Sequence, residues 1–401
     1  MIMKSTTTQP RLSTLIVLSA IAVLPVNTIL PSLPNIAEAF QADFALINLS
    51  VVGYAVFGGL TQLITGAMSD RYGRRPVVLT ALLIFIAASI GCAFAPNIEI
   101  FLLFRIMQAG IAAGYSISLV VIKETSRDNE AASKIGYVAM AWAIAPMIGP
   151  TLGGLLDELL GWRAIFIAFA ILGVIILVIS TLDLRETAAH SPKSKPNYLN
   201  AYRQLLGSVQ FWGYTLCMAC SIGTLYIFLG GAPLTTAQMF GGSSAKLGLY
   251  MGLIPAGFIL GSYLTGRYSS QISLITIILF GRLLTCVGLF VGLFLSMSGT
   301  MHPLSFFGPC LFIGLGNGLT MPAANASVLS IHPNLFGTTS GLATAMTIAG
   351  GALVAFVSGL FLTETNTLAV LFGLMLASSI LALMAAFYIF VLNRYSVGMK
   401  P

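Results

Sequence analysis

A cluster of charged residues stands between two apolar runs, in the segment GAMSDRYGRRP at positions 66–76. It holds one aspartate and three arginines, whereas the whole chain is only 8% charged. A helix dipole disfavours a carboxylate at the helix C-terminus, so Asp70 is expected to find a partner elsewhere in the fold. The arginines suit a cytoplasmic loop, and Gly73 suits a tight turn. Arg74 or Arg75 is a candidate partner for Glu124 or Asp128 below the fourth apolar run.

Two further arginines lie inside apolar runs. An unpaired charge at such depth in a bilayer costs about 2.5 kcal/mol or more, so Arg105 is expected to face a polar cavity, where Gln108 on the same helix face can help to solvate it. Snorkelling of Arg105 to the outer surface is the alternative. Asn27, at similar depth in the first run, is its expected neighbour. For Arg282, a packing or lipid-facing position and a substrate contact both stay open.

Titratable groups that could carry protons are missing from the middle of every run. All Asp and Glu residues fall at or beyond the ends of runs, and the three histidines fall in loops. Either interfacial acids such as Asp70 or Glu124 carry protons, or coupling is weak or absent. No nucleophile, base and orienting partner are gathered, and the cysteines lack the spacing of a metal site. We therefore expect no enzyme, no metal and no cofactor.

The elements that position these residues are long apolar helices. The chain has 401 residues, of which 57% are hydrophobic, and a spanning helix needs about 20 mostly apolar residues. An all-α membrane protein is predicted. Twelve runs are long enough, and they lie near 12–34, 44–68, 76–96, 98–122, 134–156, 162–183, 210–231, 245–266, 272–297, 303–330, 338–362 and 366–394.

One long polar break divides the runs into two sets of six. This predicts an N-terminal bundle at 1–183, a cytoplasmic linker at 184–208 and a C-terminal bundle at 209–401. The halves resemble each other, since GYVAMAWAIAPMIGPTLGGLL at 136 matches GLATAMTIAGGALVAFVSGLF at 341, and DRYG at 70 has an echo in GRYS at 266. Two related halves are typical of transporters with a substrate site near mid-membrane. Lys and Arg concentrate in loops of one side, which predicts both termini in the cytoplasm.

The fifth run contains the segment APMIGPTLGG, with two prolines and three glycines. Such a helix must bend and pack closely against its neighbours. It is expected to act as a hinge or seal. The residues concerned are Pro146, Gly149, Pro150, Gly153 and Gly154.

Five segments together carry a family resemblance. GAMSDRYGRR resembles the loop motif between the second and third helices of the major facilitator superfamily; FRIMQAGIAAG and APMIGPTLGG are similar to the fourth- and fifth-helix motifs of its drug:proton antiporter branch. LPVNTILPSLPNIAEAF and GWRAIF resemble, more narrowly, the bicyclomycin and chloramphenicol resistance type of exporter. The resemblance covers essentially the whole chain. It implies a major facilitator fold of two pseudo-symmetric six-helix bundles, in the inner membrane and monomeric.

The resemblance also implies roles for residues. Asp70 with an arginine would bind the start of the eleventh helix at Thr338, Thr339 and Ser340, which makes Asp70, Arg71, Gly73 and Arg74 a conformational latch; a loop that only sets the topology is the alternative. Relatives commonly carry an aspartate where this chain has Asn27, which leaves the proton carrier open.

The expected function is secondary active export of an amphiphilic drug or metabolite by alternating access, with proton antiport; uptake or facilitated diffusion on the same fold is the alternative. A cavity with arginine and no acid favours neutral, zwitterionic or anionic substrates. Candidate substrate-binding residues are Asn27, Tyr54, Arg105, Gln108, Trp142, Tyr226, Asn317 and Met321.

Overall fold

The structure is a computed structural model that describes residues 10–42, 44–187, 198–236, 250, 252–299, 302–332, 335–361 and 367–398. Within these ranges the chain is almost entirely helical, without a β-strand. Lipid favours helices because a helix satisfies its backbone hydrogen bonds internally. The helices are α1 (Leu12–Thr28), α2 (Leu33–Phe40), α3 (Phe44–Tyr72), α4 (Arg74–Ala93), α5 (Ile98–Gln108), α6 (Ala113–Thr125), α7 (Asp128–Leu160), α8 (Arg163–Asp183), α9 (Tyr198–Leu206), α10 (Val209–Thr236), α11 (Leu253–Tyr268), α12 (Leu274–Met297), α13 (Pro303–Leu329), α14 (Phe336–Gly359) and α15 (Thr367–Gly398).

The predicted all-α membrane fold is confirmed. Among the described residues, 10 helical stretches are long and apolar enough to cross a membrane. The fifth and eighth predicted runs correspond to α7 and α11, which complete the twelve. The first span consists of α1 and α2 joined by the 3₁₀ turn Leu30–Ser32. Helix α9 lies in the predicted linker, of which positions 188–197 are outside the described residues.

The fourth span is not one regular helix. Helix α5 ends at Gln108 and α6 begins at Ala113, with the 3₁₀ turn Ala109–Ala112 between them. Small residues in this turn allow a close approach to α3, where a Cβ added at Gly58 would lie 3.5 Å from the Cβ of Ala112. The apolar pattern of the sequence does not indicate this break in the helix, which directly follows the segment that contains Arg105 and Gln108. Short 3₁₀ segments inside helices often mark functional positions.

The helices group into two compact units. The first unit consists of Met1–Ser126, Ile144–Ala201 and Asn334–Leu342, and the second of Arg127–Ala143, Tyr202–Pro333 and Ala343–Pro401. Each unit thus takes most of one predicted half together with a short segment of the other half. Helices α7 and α14 therefore each continue from one unit into the other along the chain.

Aromatic rings form much of the core of the first unit. The ring of Phe101 packs edge-on against Phe166 and Trp162, with centroids 5.4 and 5.8 Å apart. Phe169 continues the cluster toward Phe85 on α4. Edge-to-face pairs of this kind stabilise by about 0.5–1.5 kcal/mol beyond their buried area. These ring contacts hold α4 and α8 against α5, the helix that carries Arg105.

Glycines allow α11 and α13 of the second unit to cross at backbone distance. Gly257 and Gly261 on α11 face Gly314 and Gly318 on α13, and a Cβ added at any of the four would overlap backbone atoms of the other helix. The spacing of both pairs is GxxxG, which lets membrane helices approach closely. The segment GLGNG at 314–318, which lies inside an apolar run, is therefore a helix-packing surface.

The second part of α7 packs on the end of α1 in the first unit. The helix continues through Pro146 and Pro150. A Cβ added at Gly153 would overlap the carbonyl oxygen of Thr28, whereas one added at Gly154 would meet only Pro31, at 3.8 Å. Of these two adjacent glycines, only Gly153 is required for close packing.

This contact yields a prediction with a matched control. Gly153→Ala should destabilise the folded protein by about 1–3 kcal/mol, because α1 or α7 must shift to admit the methyl group. Gly154→Ala should be neutral or slightly stabilising, since alanine favours a helix over glycine by about 1 kcal/mol where space permits. The midpoint of thermal unfolding of the purified protein in detergent measures both. Equal midpoints for the two variants would contradict the assigned close contact.

Candidate functional site

The carboxylate of Asp70 binds the start of α14. Its oxygens accept hydrogen bonds from the backbone N–H groups of Gly337 at 2.9 Å and Thr338 at 2.7 Å, and from the Thr338 hydroxyl at 2.6 Å. Arg74 forms an ion pair with the same carboxylate at 2.7 Å, and both side chains are only 4% exposed. Asp70 thus leaves the unfavourable end of α3 for the favourable N-terminus of another helix.

Glycines bring the two backbones close enough for this contact. A Cβ at Gly66 would overlap the carbonyl oxygen of Gly337, and a Cβ at Gly341 would overlap that of Gln62. One turn further along α14, the Ser340 hydroxyl donates to the carbonyl oxygen of Ser116 at 3.2 Å. Helix α3 and the start of α14 are consequently packed without intervening side chains.

Arg74 connects Asp70 to Glu124. Its guanidinium donates to Glu124 at 2.8 Å and to the Ser69 hydroxyl at 2.8 Å, in addition to the Asp70 pair. Gly73 precedes it with φ 96°, a backbone conformation that favours glycine. The hydrogen bonds of Arg74 to Asp70 and Glu124 join charged groups that are largely buried. Such charge-assisted bonds are stronger than bonds between neutral groups.

The structure places the predicted latch residues differently from one another. Asp70 and Arg74 meet, Gly73 forms the turn between α3 and α4, and Arg71 is exposed with its guanidinium 5.1 Å from the ring centre of Tyr72. Glu124, predicted as a possible proton-coupling group, is the second partner of Arg74 and is 12% exposed.

Two residues of this site were missed by the sequence analysis. Glu186 accepts hydrogen bonds from the backbone N–H groups of Arg74 and Arg75, at 2.8 and 3.2 Å. Thr187 donates from its hydroxyl to Glu124 at 2.7 Å. The available signal was an acid just past the end of the sixth run, on the same membrane side as the 66–76 loop.

In the second unit, α7 crosses the end of α11 in the same way as the start of α14 crosses the end of α3 in the first unit, but the bond at the crossing is neutral. The Ser133 hydroxyl of α7 donates to the carbonyl oxygen of Gly266 at the end of α11. A Cβ at Gly136 would lie 2.8 Å from the carbonyl oxygen of Ser262. This pairing corresponds to the internal repeat noted in the sequence, with a neutral hydrogen bond where the first unit has the Asp70 carboxylate.

Arg105 is fully buried within the first unit. Its guanidinium donates to the Gln108 side chain and, at 3.4 Å, to the carbonyl oxygen of Ser50, and it lies 4.7 Å from the ring centre of Tyr54. Gln108 in turn donates to the Ser89 hydroxyl at 2.7 Å. The Nε of Arg105 has no hydrogen-bond partner in the described structure, and no carboxylate pairs with Arg105 among the described residues. The cation is held by neutral dipoles and aromatic faces.

Asn27 and Tyr54, two of the predicted substrate residues, both donate hydrogen bonds to backbone carbonyl oxygens of α1. The amide of Asn27 donates to the carbonyl oxygen of Val23 at 3.0 Å, and its Cβ is next to Gly149 of α7. The Tyr54 hydroxyl donates weakly to the carbonyl oxygen of Ala22 at 3.4 Å. Tyr54 therefore links α1 to the Arg105 group, whereas the contacts described for Asn27 are to its own helix and to α7.

Arg282 is fully buried in the second unit and bonded to neutral oxygens. Its three guanidinium nitrogens donate to Thr320 at 2.8 Å, Ser221 at 2.8 Å and Asn317 at 2.9 Å. The Asn317 amide also donates to the carbonyl oxygen of Ser221 at 3.2 Å, which orients its oxygen toward the arginine. These partners lie on α10 and α13, so Arg282 does not face lipid. Of the predicted substrate residues, Asn317 belongs to this group.

The remaining predicted substrate residues are Trp142, Tyr226 and Met321. Trp142 and Tyr226 are half-buried on α7 and α10, and Met321 is buried on α13. A separate open recess of about 530 Å³ in the second unit contains none of the predicted residues. Its polar lining is uncharged and consists of Gln210, Tyr214, Gln271, Ser273, Ser327, Ser330 and Asn393. Among the described residues, no cluster of His, Cys, Asp or Glu is placed to hold a metal ion.

Comparison with known proteins extends these observations. The chain is 30% identical over 275 residues to the uncharacterized MFS-type transporter YdgK of Bacillus subtilis (strain 168), which covers 66% of this chain and 68% of that protein. It is 28% identical over 374 residues to a chloramphenicol resistance protein of Pseudomonas aeruginosa, over 90% of this chain and 87% of that one.

Solved structures and family models agree. The fold is similar to that of the proton:xylose symporter XylE, with a TM-score of 0.72 at 14% identity over 94% of this chain and 95% of that one. The family model "Major Facilitator Superfamily" matches residues 15–355. The predicted family and its drug-exporting branch are consistent with these relatives, and the expectation that the chain is not an enzyme holds. A multi-pass helical fold and this match over residues 15–355 together show that the chain belongs to the Major Facilitator Superfamily.

Proposed function

We propose that this membrane transporter exports a neutral, zwitterionic or anionic amphiphilic molecule by alternating access, as a proton antiporter. The observation that carries the proposal is the Asp70 contact, by which we mean Asp70 bound to Gly337, Thr338 and Arg74. The chloramphenicol resistance relative supports export of a drug-like molecule. The enrichment of Lys and Arg in alternate loops supports an inner-membrane location with both termini in the cytoplasm.

The Asp70 contact has the properties that a reversible latch needs. It combines a carboxylate, a guanidinium and a helix N-terminus in a largely buried position, so it is strong when formed. It uses only three short contacts to α14, so it can break as one unit. Helix α14 continues from the first compact unit into the second. Forming or breaking the contact therefore changes whether the beginning of α14 is bound to α3.

The charge of the buried residues supports the substrate class. Arg105 and Arg282 are both fully buried, and neither pairs with a carboxylate among the described residues. The sequence from position 187 to the C-terminus contains a single acid, Glu364, which lies outside the described residues. An interior with uncompensated positive charge attracts anions and disfavours lipophilic cations.

The first prediction tests the latch. Asp70→Asn keeps the side-chain shape but removes the charge that Arg74 and the α14 N-terminus stabilise. Charged hydrogen bonds of this kind are worth about 1.5–3 kcal/mol, so transport should fall roughly tenfold or more, with expression near normal. Substrate efflux from proteoliposomes is the measurement. Unchanged efflux, with Asp70 confirmed as replaced, would mean that the contact has no part in the transport cycle.

A second prediction concerns Arg105. Arg105→Ala should abolish transport of neutral or anionic substrates, whereas Arg105→Lys should keep part of it, because the charge survives but the planar set of donors does not. Drug susceptibility of cells that overexpress each variant, at matched protein level, gives the comparison. Full resistance in the Ala variant would show that Arg105 serves packing alone.

A third prediction concerns proton coupling. Asn27→Asp restores a titratable side chain to the first span and lowers the net interior charge by one. We expect transport to become more dependent on a pH gradient and to admit cations that the parent protein rejects. Efflux from proteoliposomes with and without an imposed gradient, for parent and variant side by side, measures both effects. Facilitated diffusion is the function indicated if neither protein responds to the gradient.

A further inference from the structure

The chain just after α8 is attached to the network around Asp70 at two points. Glu186 binds the backbone N–H groups of Arg74 and Arg75 at the first turn of α4. Thr187 binds Glu124, the second carboxylate partner of Arg74. Both residues belong to the start of the predicted linker between the two halves. The linker therefore contacts Arg74 from its backbone side and, through Glu124, from its guanidinium side.

Glu186 and Gly73 fit each other. A Cβ added at Gly73 would overlap the carboxylate of Glu186, so the missing side chain provides the space in which this carboxylate reaches the α4 N-terminus. A carboxylate in that position is stabilised by free N–H groups and by the helix dipole. In return it fixes the first residue of α4, which carries the guanidinium that pairs with Asp70.

An uninterrupted series of polar contacts results. It leads from Thr187 to Glu124 at 2.7 Å, from Glu124 to Arg74 at 2.8 Å, from Arg74 to Asp70 at 2.7 Å and from Asp70 to Thr338 at 2.7 Å. Every member lies in the first compact unit. Loss of Thr187 would leave Glu124 with one partner fewer and let its carboxylate draw Arg74 away from Asp70.

We propose that Glu186 and Thr187 are positioning residues for the Asp70 contact, so that the linker must be docked for that contact to be at full strength. This inference rests on the proposed latch and adds a regulating element to it. Glu186 acts on Asp70 through the backbone of Arg74, and Thr187 acts through Glu124 and the Arg74 guanidinium. Release of the linker start would weaken the hold on α14 without any change at Asp70 itself.

The chain offers a matched control in Asp183, three residues before Glu186. Its carboxylate accepts from the backbone N–H of Arg11 at 2.8 Å and from the Thr14 hydroxyl at 2.6 Å. It thus stabilises the start of α1 with the same chemistry that Glu186 uses at the start of α4. In the described part of the chain its hydrogen bonds go to Arg11 and Thr14 and not to Arg74, Glu124 or Asp70.

The experiment measures how often the start of α14 separates from α3. Ser340 is 3% exposed and lies in this contact, so Ser340→Cys places a reporter thiol there, in a full-length protein whose five native cysteines are replaced. We expect Glu186→Gln and Thr187→Val each to speed alkylation of that thiol roughly 5- to 10-fold, less than the loss of a whole charge-assisted hydrogen bond at Asp70 would, because both residues act on Asp70 through Arg74. Glu186→Asp and Thr187→Ser should restore most of the parent rate.

Three comparisons decide the outcome. Asp183→Asn should leave the alkylation rate unchanged, and an equal increase there would overturn the proposal by showing general loosening. Parent-like rates in both Glu186→Gln and Thr187→Val, while Asp70→Asn is fast, would overturn it and leave the latch intact. A parent-like rate in Asp70→Asn would reject the latch and the proposal with it. The readout does not require transport, so the two failures are distinguishable.

Discussion

The first unit depends on one electrostatic constraint: carboxylates at the ends of some helices must bind the beginnings of others. Asp70 near the end of α3 binds the start of α14, and Asp183 at the end of α8 binds the start of α1. Glu186 just beyond α8 binds the start of α4. Each carboxylate lies near the N-terminus of another helix, where the helix dipole attracts a negative charge, and not against the C-terminus of its own, where the dipole repels it. Each also accepts hydrogen bonds from N–H groups that have no partner inside their own helix. Helices that are distant in sequence are thereby fixed end to end.

In the second unit, the described caps of α10 and α12 and the crossing of α7 with α11 use neutral hydroxyl groups. Ser208 and Ser273 accept from backbone N–H groups in the first turns of α10 and α12, and Ser133 forms the crossing at Gly266. This agrees with a sequence that has almost no acids after position 187. The two halves of an internal repeat have therefore kept similar backbone crossings while their electrostatics diverged. Conditions that change carboxylate charge act mainly on the first unit.

The helices and the Asp70 contact could be predicted from the sequence, whereas the partners of the buried arginines could not. Composition and run lengths predicted the helices, because a membrane-spanning helix has little freedom in length or polarity. The dipole argument, with the family resemblance, predicted that Asp70 would seek the start of the eleventh helix. The partners of Arg282 could not be predicted, because helices that are apolar all round carry no periodic signal for the face that meets a neighbour. For the same reason the 3₁₀ turn after Gln108 and the contacts of Asn27 emerged only from the structure.

The glycine crossing of α11 and α13 has a mechanical consequence. Where backbone lies directly on backbone, sliding one helix along the other would bring a side chain of one helix against a gap that fits only hydrogen. Rotation of either helix about its axis meets the same obstacle. The two helices must therefore translate and tilt as one stiff body. Any bending of the second unit during a conformational cycle has to occur in other helices, at positions where flexible side chains separate the backbones.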